Sequence, residues 1–240
     1  MSRRILITND DGIGADGIRK LAEIARGFGE VTVVAPDTQQ SAASHRCIFT
    51  RPLILKEYCF GLDGIKAFTL DGTPADCVRV GIYAASDSKP DIVLSGINHG
   101  YNISSDIQYS GTVGAALEAA FQGVPAIAVS YGSPEFKETD IVDRYLPELL
   151  EEYMEKPLPE SSIWNINIPD CRADECRGIF RDAVMNTGSF YDDQYRKEPI
   201  GDKAWSVTNT ARRIWKGPER SDLDAVINRY IAVGTVTNLT

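Results

Sequence analysis

Ile5-Leu6-Ile7-Thr8-Asn9-Asp10-Asp11-Gly12 is the stretch whose reading decides the fold. Arg4 to Thr8 is a short aliphatic, β-branched run and reads as a fully buried strand. Asn9-Asp10-Asp11-Gly12 ends it, because Asn, Asp and Gly favour turns over ladders. Downstream, Asp16 to Phe28 puts Ile18, Leu21, Ile24 and Ala25 on one helical face, with Gly29 expected just past the helix end. Val31 to Ala35 reads as a second buried strand, stopped by Pro36. A β-α-β unit of this kind predicts a parallel sheet with a right-handed crossover.

The pattern continues along the chain. Thr38 to His45 is small and polar, hence a loop. Cys47 to Phe68 carries strand-like runs around Gly61 to Gly64, a hairpin excursion. Thr73-Pro74-Ala75-Asp76 is a helix start with cap, N-terminal proline and box acid, and the helix is expected to reach Ala85. Asp91 to Ser95 and Pro125 to Ser130 read as buried strands. A long loop from Gly96 to Gly111 and a helix from Thr112 to Gln122 lie between them. Asp140 to Glu155 reads as an amphipathic helix and Trp164 to Ile168 as a strand. After Pro169 the periodicity weakens until a short helix near Ser221 and a strand from Tyr230 to Thr237. The expectation is a single α/β domain over 1–240, a core to about residue 170 followed by an extension from 171.

Composition bounds the function. Acids outnumber bases, 34 to 25, for a formal charge of -9. Duplex nucleic acid demands a basic footprint, so it is a poor partner. Five scattered cysteines suggest reduced thiols rather than a disulfide framework. No signal peptide is visible, and no apolar run approaches the ~20 residues that span a bilayer. A soluble, cytoplasmic protein without a membrane partner is expected.

Polar clusters follow three of the expected strands: Asn9 to Gly12, Gln39-Gln40-Ser41, and Ser95 to Gly100. In an open parallel sheet such loops share one edge, where ligands bind. Adjacent carboxylates at a strand end repel each other and lose hydration. A hard divalent cation with oxygen ligands relieves both. Asp10 and Asp11 would supply charge, Ser41 a hydroxyl and Asn98 an amide oxygen, which points to Mg²⁺ or Mn²⁺. The tripeptide Asp-Asp-Gly equally suits a plain turn. Ser110-Gly111-Thr112 opens a helix, whose unpaired N–H groups attract phosphate, though Ser110 also suits a simple cap. Asn102 can add a donor. His45 and His99, the two histidines, are candidate general acids or merely exposed loop residues. An Asp-x-Asp-Gly phosphoenzyme pattern is missing, since Asn9 stands at its first position. Gly12, Gly14 and Gly17 do not space as a dinucleotide fingerprint.

These stretches resemble the SurE family, the stationary-phase survival protein E nucleotidases. The resemblance rests on Ile5–Gly12, Val33–Pro36 with Gln40-Ser41, Asp71–Val78, Pro90–Asn98 and Tyr109–Ala116, in that order, with a weaker match through Trp164–Pro169. It implies a Rossmann-like three-layer α/β core with a mainly parallel sheet and a C-terminal extension used for oligomerisation as dimer or tetramer. It implies one divalent metal ion held by Asp10, Asp11, Ser41 and Asn98, with Asp10 and Asp11 catalytic. Phosphate binding is implied for Asn9, Asn102, Ser110, Gly111 and Thr112. The implied reaction is hydrolysis of nucleoside 5′-monophosphates, in some members also 3′-monophosphates and short polyphosphate. A non-catalytic nucleotide-binding module on the same fold is the alternative. Ala42 departs from the family's usual glycine after the serine, a change that stiffens or shifts that loop. Cys171 to Lys216 and the last residues, 233–240, also diverge.

Overall fold

The structure is a computed structural model and describes residues 2–238. The first strand, β1 (Arg3–Thr8), is followed by α1 (Asp16–Ala25) and β2 (Gly29–Pro36). The hairpin excursion is β3 (Leu55–Glu57) and β4 (Lys66–Leu70). Then come α2 (Pro74–Val80), continued by a wider π turn over Gly81–Ala85, and β5 (Ile92–His99). Next are α3 (Asp106–Tyr109), α4 (Gly111–Phe121), β6 (Ala126–Tyr131), α5 (Asp140–Glu155) and β7 (Ser162–Ile168). The tail holds β8 (Ile179–Phe180), β9 (Tyr191–Asp192), β10 (Tyr195–Gly201), β11 (Ala204–Asn209), β12 (Arg212–Arg213), α6 (Asp222–Ile227) and β13 (Ile231–Thr237).

Nine strands form one sheet in the order β3-β4-β2-β1-β5-β6-β7-β13-β8. The central strands are parallel, with Ile5 opposite Val31 on one side and Ile92 on the other. Successive side chains of a strand point to opposite faces, so each central strand feeds two cores. Ile5 and Ile7 join Ile18 and Leu21 of α1 and Leu146 and Leu149 of α5. Leu6 joins Cys77 and Val78 of α2 and Val113 and Ala116 of α4 on the other face. This is the expected three-layer Rossmann-like α/β arrangement. Among the described residues, no helix is long and apolar enough to cross a membrane.

Several expectations need correction. The first helix stops at Ala25 rather than Phe28, and Gly29 opens β2 instead of capping the helix. The loop expected from Gly96 onward begins inside β5, because Asn98 and His99 still pair with Ser130 and Tyr131 of β6 beyond an irregularity after Ser95. The hairpin excursion also contributes to the main sheet, since β4 pairs in parallel with β2. The extension joins the core. Strand β13 runs antiparallel to β7 over Ala232–Thr237, inside the main sheet. A third apolar cluster, including Ile103, Phe190, Leu223 and Val226, packs the tail against the loop after β5.

Candidate active site

The parallel strands β1, β2, β5 and β6 end on one edge of the sheet, and the turn after β1 occupies its centre. Asn9 is fully buried, Asp10 nearly so and Asp11 half-buried. Asn9 Nδ2 donates to Gly12 O at 2.9 Å, which closes the turn. The Thr112 hydroxyl donates to Asp10 Oδ1 at 2.5 Å, and the Thr112 backbone N–H also donates to this carboxylate. The first turn of α4 therefore bears directly on Asp10. Gly111 allows this approach, because a Cβ there would stand 2.8 Å from the Asp10 Cβ.

Burial, with the charge on Asp11 second, pushes the Asp10 carboxyl up to about 6 against the opposing Thr112 bonds. Burial also raises Asp11, opposed by the charge and N–H of His99 and by Gln39. His99 N donates to Asp11 Oδ2 at 3.1 Å.

The loop after β2 closes over this turn. Gln40 N donates to Asp10 O at 2.7 Å, and Gln39 Nε2 donates to Ser41 Oγ at 2.9 Å. The far end of the loop is tied to α3 and α4. Ser44 N donates to Tyr109 O at 3.0 Å and Ser44 Oγ to Gln108 O at 2.6 Å. His45 Nε2 lies 2.7 Å from Oε2 of Glu118, a buried carboxylate that Arg79 and Gln122 also approach at 2.9 and 2.6 Å. From β5, Asn98 Nδ2 donates to Gly100 O at 2.9 Å, which fixes the amide and leaves Oδ1 as its acceptor atom. Asn102 is locked by Asn165 and Asn167 of β7, and its Nδ2 donates to Ser130 Oγ at 2.8 Å.

Together these elements enclose a cavity of about 690 Å³, a usual size for a small-ligand site. Its wall includes Asp10, Asp11, Ser41 and Asn98, brought together from the turn after β1, the loop after β2 and the end of β5. Asn102 and Ser110 line it as well. Asn9, Gly111 and Thr112 are not among its wall residues. They lie behind the wall because the turn and the helix start are packed to shape and hold Asp10. Ser110 caps α4 by accepting from Val113 N at 3.1 Å. His99 is on the wall and stacks on Phe136, whereas His45 is engaged with Glu118 and stacks on Phe121.

Sequence reasoning missed Gln39, Asp106, Tyr109, Pro134 and Tyr191 as wall residues. Gln39 and Tyr109 lie inside the stretches Gln39–Ser41 and Tyr109–Ala116, where the reading gave them no role of their own. Tyr191 arrives from the tail, and no local pattern announces it. Its hydroxyl donates to Asp106 Oδ2 at 3.0 Å.

The cavity wall thus carries the carboxylates Asp10, Asp11 and Asp106, all raised first by burial. Such a wall repels phosphate unless a cation intervenes. The hydroxyl of Ser41 and the amide oxygen of Asn98 complete a hard oxygen set that fits Mg²⁺ or Mn²⁺. Among the described residues no three His, Cys, Asp or Glu side chains converge as a zinc site would need.

The Survival protein SurE family profile matches residues 5–188. The chain is 40% identical over 232 residues to a protein of Thermoanaerobacter sp. (strain X514) named 5′-nucleotidase SurE, covering 96% of this chain and 90% of that one. A protein of the same name from Pelobacter propionicus is 44% identical over 237 residues, covering 95% and 91%. The crystal structure of the SurE protein from Aquifex aeolicus superposes with a TM-score of 0.85 at 33% identity, over 99% of this chain and 94% of that one. The family match runs through Asp10, Asp11, Ser41 and Asn98, the residues that converge on the cavity, and the chain belongs to the SurE family.

Proposed function

We propose that this chain is a metal-dependent 5′-nucleotidase that hydrolyses nucleoside 5′-monophosphates to nucleoside and phosphate. The observation that carries the reading is the meeting of Asp10, Asp11, Ser41 and Asn98 on one cavity wall, in a chain whose relatives are named for this activity. A bound divalent cation, Mg²⁺ or Mn²⁺, would supply positive charge toward the phosphate and acidify a nearby water. Asp10 and Asp11 would hold that cation with Ser41 Oγ and Asn98 Oδ1. Thr112 keeps Asp10 oriented. Asp11, less buried than Asp10, is the residue suited to orient the attacking water as a base. The Ser110 hydroxyl and the second N–H of Asn102 remain as donors for the phosphoryl oxygens. Nucleoside 3′-monophosphates and short polyphosphate are further substrates to test at the same centre.

The tail is read as an assembly surface for a homodimer or homotetramer. Strands β10 and β11 pair only with each other and leave Ile200, Trp205 and Val207 exposed. Exposed apolar side chains concentrated on one hairpin mark an interaction surface.

The deciding experiment is phosphate release from a panel of nucleoside 5′- and 3′-monophosphates with Mg²⁺, Mn²⁺ or EDTA. Release should require metal, and Asp10→Asn should lower kcat/KM by about 10²-fold or more. Metal should also raise the melting temperature of the wild type but not of Asp10→Asn. Nucleotide binding without turnover under every metal would replace the enzyme with a nucleotide-binding module.

A further inference from the structure

A second cavity, of about 850 Å³, adjoins the one just described, and Tyr109 and Tyr191 line both. Its remaining wall comes largely from the tail, with Tyr195, Asp193 and Asn209 among its residues. The two ends differ in chemistry. One is lined by the three carboxylates Asp10, Asp11 and Asp106, and the other by three tyrosines, the Asn209 amide and a single carboxylate, Asp193.

We propose that this second cavity is the nucleobase subsite, in which Tyr109, Tyr191 and Tyr195 cover the base and Asn209 hydrogen-bonds its edge. The proposal rests on the nucleotidase reading and names the part of the site that separates nucleotides from other phosphate esters. Tyr191 stands between the two cavities. Its hydroxyl is tied to Asp106, and its ring packs against Phe190 at 5.3 Å, so it forms a fixed wall. Tyr109 and Tyr195 are 60% and 64% exposed as whole residues, which leaves surface for a flat ligand to cover. Every nucleobase has a π-face, and stacking on aromatic side chains tolerates any base.

Tyr195 and Asn209 face each other across the β10–β11 ladder. Directly paired residues of an antiparallel ladder project from the same face, so ring and amide act on the same side of the hairpin. Asn209 Oδ1 accepts Ala211 N at 2.7 Å, which fixes the amide orientation and leaves Nδ2 as a donor. That donor suits a ring nitrogen or carbonyl oxygen at a base edge. Tyr191, Tyr195 and Asn209 all lie beyond residue 188, where the family match ends. Ser105 and Tyr109, also on the base-side wall, lie within that match.

The test compares kcat/KM for nucleoside 5′-monophosphates with that for ribose 5-phosphate, the same kind of phosphoester without a base. The proteins are wild type, Tyr195→Ala, Tyr195→Phe and Asn209→Ala. The nucleotide-to-ribose-phosphate ratio should fall roughly five- to hundredfold in Tyr195→Ala, mainly through KM, and return in Tyr195→Phe. Asn209→Ala should lower the same ratio several-fold. A parallel loss with both substrates, or no change in the ratio, overturns the subsite. A wild type that releases phosphate from no nucleotide instead sinks the nucleotidase reading itself, and the subsite with it.

Discussion

Thr112 and Ala42 show how single residues set the centre. Thr112 gives Asp10 both a hydroxyl and a backbone N–H while staying completely buried. Thr112→Val keeps the shape but removes one donor from a buried carboxylate, a change worth about 1–3 kcal/mol. Steady-state kinetics should show a loss of about tenfold or more in kcat/KM, and Thr112→Ser should recover most of it. Ala42 sits at φ 56, in the left-handed region where a Cβ is strained and glycine is not. Glycine would relieve that strain but loosen the unfolded chain, and the two effects oppose each other. Ala42→Gly should therefore change stability by less than about 1 kcal/mol in urea melts and leave metal-dependent turnover within about threefold. A collapse of either quantity would mean that Ala42 does more than shape the loop.

At the scale of elements, the loop bearing Ser41 is held from outside the cavity. Gly114 of α4 lets the loop approach, since a Cβ there would lie 2.4 Å from Ser44 O. Gly114→Ala should push the loop away and cost about 1–3 kcal/mol of stability. Isothermal titration should then show metal affinity falling by about tenfold or more, as when a supporting contact of a metal ligand is lost. Equal metal affinity in the variant would show that the loop does not carry a ligand. Asp222, at the start of α6, accepts N–H groups of Ser104, Asn186 and Leu223 at 2.9, 2.9 and 2.8 Å. It thereby joins the tail to the loop that carries Asn102 and Asp106. Asp222→Ala orphans these donors and should destabilise the protein by about 2 kcal/mol or more, read from denaturant unfolding.

For the whole molecule, acid stability is tied to how the sheet is closed at its other edge. Asp91 precedes β5 and accepts from Arg4 N, Nε and Nη2 at 2.8, 3.1 and 2.6 Å. The Arg4 side-chain bonds, then the Arg4 backbone N–H, hold the Asp91 carboxyl at about 2. A carboxyl lowered on folding contributes stability above its unfolded value near 3.9, and that contribution fades as pH falls toward 2. Melting temperatures between pH 5 and 2 should therefore fall less steeply in Asp91→Asn than in the wild type. The effect is modest because the pair is partly exposed to solvent. Identical slopes would remove Asp91 from the acid response.

The sequence by itself determined the β-α-β start, the strand ends that carry Asp10, Asp11 and Asn98, and the capped starts of α2 and α4. These features depend on neighbours within a few residues, through hydrophobic period, turn chemistry and cap hydrogen bonds. The meeting of Asp10, Ser41 and Asn98 was legible because parallel strands share a carboxyl edge. Only the tertiary structure decided that Asn9, Gly111 and Thr112 stand behind the cavity wall. Which backbone and hydroxyl groups face Asp10 depends on how α4 docks. Only the tertiary structure placed β13 within the sheet and brought Tyr191 to Asp106, 85 residues apart in sequence. Pairings across such separations follow from packing the whole chain, and no local periodicity encodes them.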